Sequence, residues 1–276
     1  MEIFAYSFMK NAFIVGAVVG IICPVIGLFI VLRRLSLVAD ALSHICLSGV
    51  AAALLAGTHP VLTASAFAVG GSILIERLRV AYKDYAELSI AVILSGGIAL
   101  AAVLIGFAGG FNANFMGYLF GSLVVLNPLD VWIITGIGVF VLLLVIIFYK
   151  ELFYATFDDE AAEVSGVPVK VLGLGFMILT ALTIALAMKT VGILLVSSLM
   201  ILPVAASLRL AVSFRSALVL AVLFSELAVN IGLFLSFYFN LPPGGTIILT
   251  SIAVLGMVTL VNKNRININV PGSDNQ

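Results

Sequence analysis

One apolar segment carries an acidic and an imidazole side chain that could act together. The segment is residues 35–56, which is long enough to cross a bilayer. Asp40 is its acidic residue and His44 is its histidine. Their i, i+4 spacing puts both on one face of a helix, about 6 Å apart along its axis. An ionised Asp inside a membrane helix costs roughly 2.5–3.5 kcal/mol even on the insertion scale, so such a residue indicates a functional site.

The chemistry that this pair could do is metal binding. A carboxylate oxygen and an imidazole nitrogen form half of a transition-metal site. The alternative is a hydrogen-bonded Asp–His pair that only holds two helices together. Ser36 and Ser43 could support the ligands, although bonding to the helix backbone is the simpler role for both hydroxyls.

The chain around this pair has the composition of a helical membrane protein. Of its 276 residues 63% are hydrophobic and only 9% are charged, which leaves too little polar surface for a soluble domain. Charges and Gly/Pro turns predict an all-α transmembrane bundle, a single domain over residues 1–276, with eight to nine spans and at most ten. The nine spans are residues 11–32, 35–56, 61–75, 88–107, 131–149, 171–188, 191–208, 216–239 and 246–261. Residues 109–130 are too irregular for a clean span and predict an interfacial or re-entrant segment.

The distribution of Lys and Arg predicts the orientation. If Arg33 and Arg34 lie in the cytoplasm and the spans alternate, 11 basic residues lie inside, and only Lys10 and Lys189 lie outside. The N-terminus is then outside and the C-terminus inside, with the first apolar run retained as a span rather than removed as a signal peptide. The residues counted inside are Arg33, Arg34, Arg77, Arg79, Lys83, Lys150, Lys170, Arg209, Arg215, Lys263 and Arg265.

A second candidate element lies in the longest polar stretch. Acidic residues at the front of this stretch suit a helix N-terminus, and a Gly and a Pro end the helix. We expect a short amphipathic helix at about residues 156–168, between two spans. The candidate residues of this helix are the acidic Asp158, Asp159, Glu160 and Glu163, together with Gly166 near its end.

Two further ionisable residues are ambiguous. Glu226 lies near the middle of the eighth span, where a bare carboxylate is costly. It is a candidate secondary cation site, or it pairs with a polar neighbour such as Asn230. His59 precedes Pro60 in an outer turn, where it could help to receive ions but is more simply a surface residue.

Several functions find no support in the sequence. No Lys follows a Gly, so the chain has no P-loop, and neither H-E-x-x-H nor G-x-S-x-G occurs. The zero net charge does not favour nucleic-acid binding, and two cysteines in apolar segments indicate no disulfide framework. We therefore expect no catalytic residues and no permanently bound cofactor. Any ATP hydrolysis linked to this chain would take place on a separate chain.

The segment around Asp40 and His44 resembles the signature second helix of the zinc/manganese/iron permeases of ABC transporters. The resemblance is strongest in residues 34–44 and 47–51 and covers nearly the whole chain in one order. The other matching stretches are residues 119–123, 190–196, 199–203 and 241–249.

The resemblance implies a role for each candidate site. The Asp and His would line the translocation path of a dimer, so two copies of Asp40 and His44 would surround one ion. Four oxygen and nitrogen ligands suit Zn²⁺, and with added water suit Mn²⁺ or Fe²⁺, whereas imidazole argues against Mg²⁺ and Ca²⁺. We see no internal repeat that would form both halves of a pore within one chain.

The resemblance also implies partners. The helix at residues 156–168 would dock on a cytoplasmic ABC ATPase, and an extracytoplasmic metal-binding protein would deliver the ion to a bacterial cell membrane. The alternative is a proton-coupled secondary transporter that works without an ATPase, with Asp40, His44 and Glu226 as its proton relay. A scaffold without transport would need Asp40 and His44 to be purely structural.

Overall fold

The computed structural model describes residues 6–82, 85–110, 113–122 and 127–268, without the side chains of residues 80, 86, 113, 114 and 262–268. A few residues used above lie outside this description. These are Lys83 and, within the irregular segment, residues 111–112 and 123–126, together with the side chains of Lys263 and Arg265.

The described chain is helical and contains no strand, as predicted for an all-α bundle. Eight of its helices are long and apolar enough to cross a membrane, which confirms the predicted eight to nine spans. The helices are α1 Ser7–Leu32, α2 Ser36–Ala56, α3 Pro60–Ala81, α4 Ala86–Phe107, α5 Ala113–Phe120, α6 Pro128–Ile147, α7 Tyr149–Phe157, α8 Asp159–Val164, α9 Val169–Ala187, α10 Val196–Leu208, α11 Phe214–Phe239 and α12 Pro243–Ile268.

The polar stretch forms two helices rather than one. α7 and α8 are separated by Asp158, whose side chain accepts a hydrogen bond from the Ala161 N–H at 2.9 Å and caps α8. The helix ends at Val164, and Gly166 follows with φ +87°. An aromatic cluster holds α7 against the bundle: Phe214 contacts Phe29, Tyr149, Phe153 and Phe157. We call this end of the bundle, which also carries Arg33, the α8 end.

A buried ion pair lies at the opposite end, which we call the His59 end. Lys189, which follows α9, donates to Asp130 Oδ2 at 2.5 Å, and the Asp130 side chain is fully buried. The N–H of Asn127 also bonds Oδ2, at 3.1 Å. His59 Nε2 lies 3.4 Å from the other oxygen, Oδ1. This cluster joins the starts of α3 and α6 to the segment after α9.

The seventh span begins with irregular backbone. Its helix was predicted from residue 191 but α10 starts only at Val196, because Gly192 has φ +89°. A Cβ at Gly192 would overlap the backbone of residues 119–121. Residues 188–195 and α10 together return the chain from the His59 end to the α8 end. This return is the ninth crossing beside the eight long helices of the described chain.

The irregular backbone forms hydrogen bonds where three segments contact one another. We call this contact region the glycine junction. It comprises residues 118–122, residues 189–193 and Gly244. The Ile193 N–H donates to Tyr118 O at 2.9 Å, and the Ser122 N–H donates to Lys189 O at 3.1 Å. Gly121 and Gly244 also allow close approach, since a Cβ on either would overlap the backbone of residues 190–191. Non-helical backbone at this depth is tolerated because it is paired within the protein.

We predict that Lys189→Met destabilises the bundle. The substitution leaves Asp130 buried without its cation, and breaking a buried pair in this way costs about 3–5 kcal/mol and lowers Tm by roughly 10 °C. Thermal unfolding in detergent measures the change. Lys10→Met, at an exposed position on α1, is the matched control. Adding Asp130→Asn to Lys189→Met should restore part of the loss, and equal Tm values for Lys189→Met and Lys10→Met would refute the prediction.

Candidate functional site

The helix that carries Asp40 and His44 is held by close packing on α3 and α4. Ser48 Oγ donates to Gly97 O of α4 at 2.7 Å. A Cβ on Gly97 would lie only 3.1 Å from the carbonyl carbon of His44, and one on Gly49 would lie 2.7 Å from Ala64 Cα of α3. Small residues allow this approach, as they do at other membrane helix contacts. The backbone at His44 is therefore fixed tightly against α4.

One face of α2 is left open by this packing. Leu37 is 53% exposed, and the side chains of Asp40 and His44 are partly exposed, although most of the helix is buried. The two predicted ligands therefore share a face, as their spacing indicated. From the start of α2 at the α8 end they lie roughly 6 and 12 Å along the helix, so the pair occupies the half of the bundle nearer α8.

The imidazole of His44 is incompletely satisfied. Its Nδ1 atom is enclosed yet has no hydrogen-bond partner among the described residues. Leaving a buried polar atom unpaired costs about 1–3 kcal/mol. Because Nδ1 is enclosed, a partner at the open face of α2 would reach it only after the imidazole turned to another rotamer.

The open face is only part of a metal site. No three His, Cys, Asp or Glu side chains of the described residues come together as a possible metal-binding group. Ser43 donates to Ala39 O at 2.9 Å, which is the helix-backbone role expected for it. Asp40 and His44 thus provide two ligands, and further ligands would have to come from outside the single chain or from water.

Glu226 lies at a different interface. It is on α11 and faces α1, where a Cβ on Gly20 would lie 2.5 Å from Glu226 Oε1. Asn230 Nδ2 donates to Glu226 Oε2 at 3.2 Å, so the pairing considered from the sequence is present. Oε1 is enclosed without a hydrogen-bond partner in the part of the chain that the structure describes. A secondary cation site at Glu226 stays a prediction.

The acidic residues of the α8 region are at the surface. Asp159, Glu160 and Glu163 are exposed, as are the capping residue Asp158 and Gly166. An apolar side chain accompanies them, because Val164 is 90% exposed at the end of α8. The tip of α8 thus exposes one apolar side chain beside four acidic ones.

From the sequence, Arg33 was used only as one of the basic residues that predict the orientation. In the structure its side chain is 10% exposed and lies 3.7 Å from Asp159 Oδ1. Burial lowers the pKa of Arg33 from its ordinary value, and the charge of Asp159 opposes this change. The two arginines at the end of an apolar helix could have indicated a buried cation. The local pattern could not identify Asp159, which is 126 residues away, as its partner.

Comparisons with known proteins agree with the fold and with the resemblance. The model of the ABC 3 transport family matches residues 5–262. A probable metal transport system membrane protein of Treponema pallidum is 38% identical over 253 residues, which are 92% of this chain and 95% of that protein. The manganese transport system membrane protein MntC of Listeria monocytogenes is 35% identical over 89% of this chain and 88% of its own length.

A solved structure is similar over almost the same range. The structure of PsaBC from Streptococcus pneumoniae in complex with Fab superposes with a TM-score of 0.83, at 32% identity over 93% of this chain and 92% of that chain. The family match, the relatives and the shared fold lead to one assignment. This chain belongs to the ABC 3 transport family and is a multi-pass metal-permease subunit of the cytoplasmic membrane.

Proposed function

We propose that this chain forms half of the pathway of an ATP-driven importer for a divalent transition metal ion. The open face of α2 carries the proposal. It presents a carboxylate and an imidazole on the open side of α2, and hydrocarbon would solvate that face poorly. A second copy of the chain would cover it.

Two copies of this face would complete the metal site. A two-fold axis beside α2 would bring together two carboxylates and two imidazoles, and the carboxylates would neutralise the ion's charge. This ligand set suits zinc, manganese and iron, and manganese is the ion in the names of several relatives. We therefore propose Mn²⁺ as the first substrate to test.

The α8 end would face the cytoplasm. This orientation follows from the predicted distribution of Lys and Arg, and it puts the His59 end outside, where an extracytoplasmic binding protein would deliver the ion. The described chain starts at the His59 end and finishes at the α8 end. The N-terminus would then be outside and the C-terminus inside.

The α8 region would receive the force from a separate ATPase. Asp158 caps α8, and Gly166 ends its turn; Asp159, Glu160, Glu163 and Val164 present a mixed acidic and apolar surface. A docked ATPase would move α8 as it binds and hydrolyses ATP. The permease would then shift between outward- and inward-facing states because each nucleotide state favours one of them.

We predict that Asp40→Ala and His44→Ala each abolish manganese uptake. Uptake by cells carrying only this system should fall by roughly 100-fold or more, since losing even a group that supports a metal ligand costs 10–100-fold in affinity or activity. The uptake rate is measured with radioactive manganese or by inductively coupled plasma mass spectrometry of the manganese in the cells. The amount of ATPase that copurifies should be unchanged, because the ligands are remote from α8.

Ser43→Ala is the matched control, on the same helix and one residue from His44. Among the described residues its hydroxyl bonds the backbone of its own helix, so uptake should stay within about twofold. Normal uptake by both ligand variants would reject the site. Uptake by the purified chain alone under a proton gradient would instead support the secondary-transporter alternative.

We predict that Val164→Asp prevents stable binding of the ATPase. A charge at this exposed apolar position would be desolvated on docking, which costs several kcal/mol and lowers affinity by roughly 100-fold or more. Copurification of the ATPase with the tagged permease measures the loss. Val212→Asp is the control at the same end, since Val212 is 95% exposed between α10 and α11. If Val212→Asp lost the ATPase while Val164→Asp bound it normally, the ATPase would dock near Val212 and not on α8, which would contradict the prediction.

A further inference from the structure

One side chain links the end of α1 to the α7–α8 segment. Arg33 Nη2 donates to Ala155 O at 2.8 Å, and Arg33 Nε donates to Thr156 Oγ1 at 3.3 Å. Nη2 also lies 3.7 Å from Asp159 Oδ1, at the first residue of α8. Within the described ranges, these are the hydrogen bonds and the ion pair that join the α1–α2 connection to α7 and α8.

The guanidinium is enclosed as well as bonded. Its carbon lies 5.6 Å from the centre of the Phe176 ring of α9, and only 10% of the side chain is exposed. Charge-assisted hydrogen bonds are stronger than neutral ones, and the Arg fork fixes direction as well as distance. The hydrogen bonds from Arg33 to α7 are therefore enclosed and directional. Asp159, at the start of α8, is 65% exposed and pairs with the guanidinium at the longer distance of 3.7 Å.

Arg33 is also joined stiffly to α2. It caps α1, and only Arg34 and Leu35 separate it from the start of α2 at Ser36. The Arg34 N–H bonds Val31 O at 3.1 Å, and the Leu35 N–H bonds Ile30 O at 2.9 Å. Arg34 itself has φ 59°, so the turn is a defined elbow with little slack. We expect a displacement of Arg33 to displace the start of α2, and Asp40 lies about one turn after Ser36.

We propose that Arg33 is the positioning residue that transmits movement of α8 to the metal-bearing helix α2. This inference rests on the proposed function, because it assigns a route to the coupling between ATPase and metal site. A movement of α8 would pull the α1–α2 elbow through Arg33 and reorient Asp40 and His44 at the dimer axis. The covalent path from α8 runs into α9 instead and does not enter α2.

The test uses the complete complex, with its ATPase and binding protein, in proteoliposomes. Manganese uptake per ATP hydrolysed is compared for the wild type, Arg33→Gln and Arg33→Lys. Arg33→Gln should lower this ratio by about tenfold or more, because charge-assisted hydrogen bonds contribute enough to change an equilibrium by that factor. Arg33→Lys, which keeps the charge but loses the fork, should give an intermediate ratio.

The control is Arg34→Asn. It removes the adjacent exposed charge and keeps a residue that tolerates a positive φ. Its uptake per ATP should equal that of the wild type. The ratio is a readout that a purely structural role would not move, since a structural defect lowers the amount and the Tm of assembled complex but leaves each surviving complex coupled.

The outcomes separate the two proposals. A wild-type complex that transports manganese, with normal uptake per ATP in Arg33→Gln, would overturn the role of Arg33 and leave the proposed function intact. A wild-type complex without manganese uptake would contradict the proposed function and this inference with it. A lowered ratio in Arg33→Gln with a normal ratio in Arg34→Asn supports the link.

Discussion

The cost of charge in hydrocarbon is the constraint on which the structure depends. α2 carries Asp40 and His44 on the one face that its neighbours leave open. Most of the remaining helix is buried, with close contacts at Gly49 and Gly97. A face of this kind has low energy only against polar groups, water or an ion. The bundle thus has one side that requires a partner, and the proposed dimer and its ion follow from that requirement.

Backbone hydrogen bonding imposes the second constraint. A chain that crosses a membrane can leave the helix only where the freed N–H and C=O groups find partners inside the protein. The glycine junction satisfies this condition by pairing the segment after α9 with the end of α5. Gly121, Gly192 and Gly244 permit the close approach, and the buried pair of Asp130 and Lys189 lies beside it. The His59 end is consequently closed by internal hydrogen bonds and a buried ion pair, whereas the α8 end exposes acidic and apolar side chains.

Patterns with a short range were predicted well from the sequence. Apolar run length gave the helical bundle, and the i, i+4 spacing gave the shared face of Asp40 and His44. The acidic start and the Gly of the polar stretch gave a capped helix, although two helices, α7 and α8, lie there instead of one. The late start of α10 was missed because hydropathy does not change at Val191; the break depends on the positive φ of Gly192 and on contacts with residues 119–121. The partners of Arg33 and Lys189 were missed for the same reason: each is more than 50 residues away, and no local periodicity records it.

The central claim is that a single ion is held by Asp40 and His44 from two copies of the chain. Pulsed electron paramagnetic resonance of Mn²⁺ bound to the purified complex tests it most directly, since it detects coupling to ligand nitrogen and is quantified against protein. We expect one Mn²⁺ for every two copies, with imidazole ¹⁴N coupling that disappears in His44→Asn. A bound ion whose ¹⁴N coupling survives in His44→Asn, or one Mn²⁺ in each separate copy, would contradict the account.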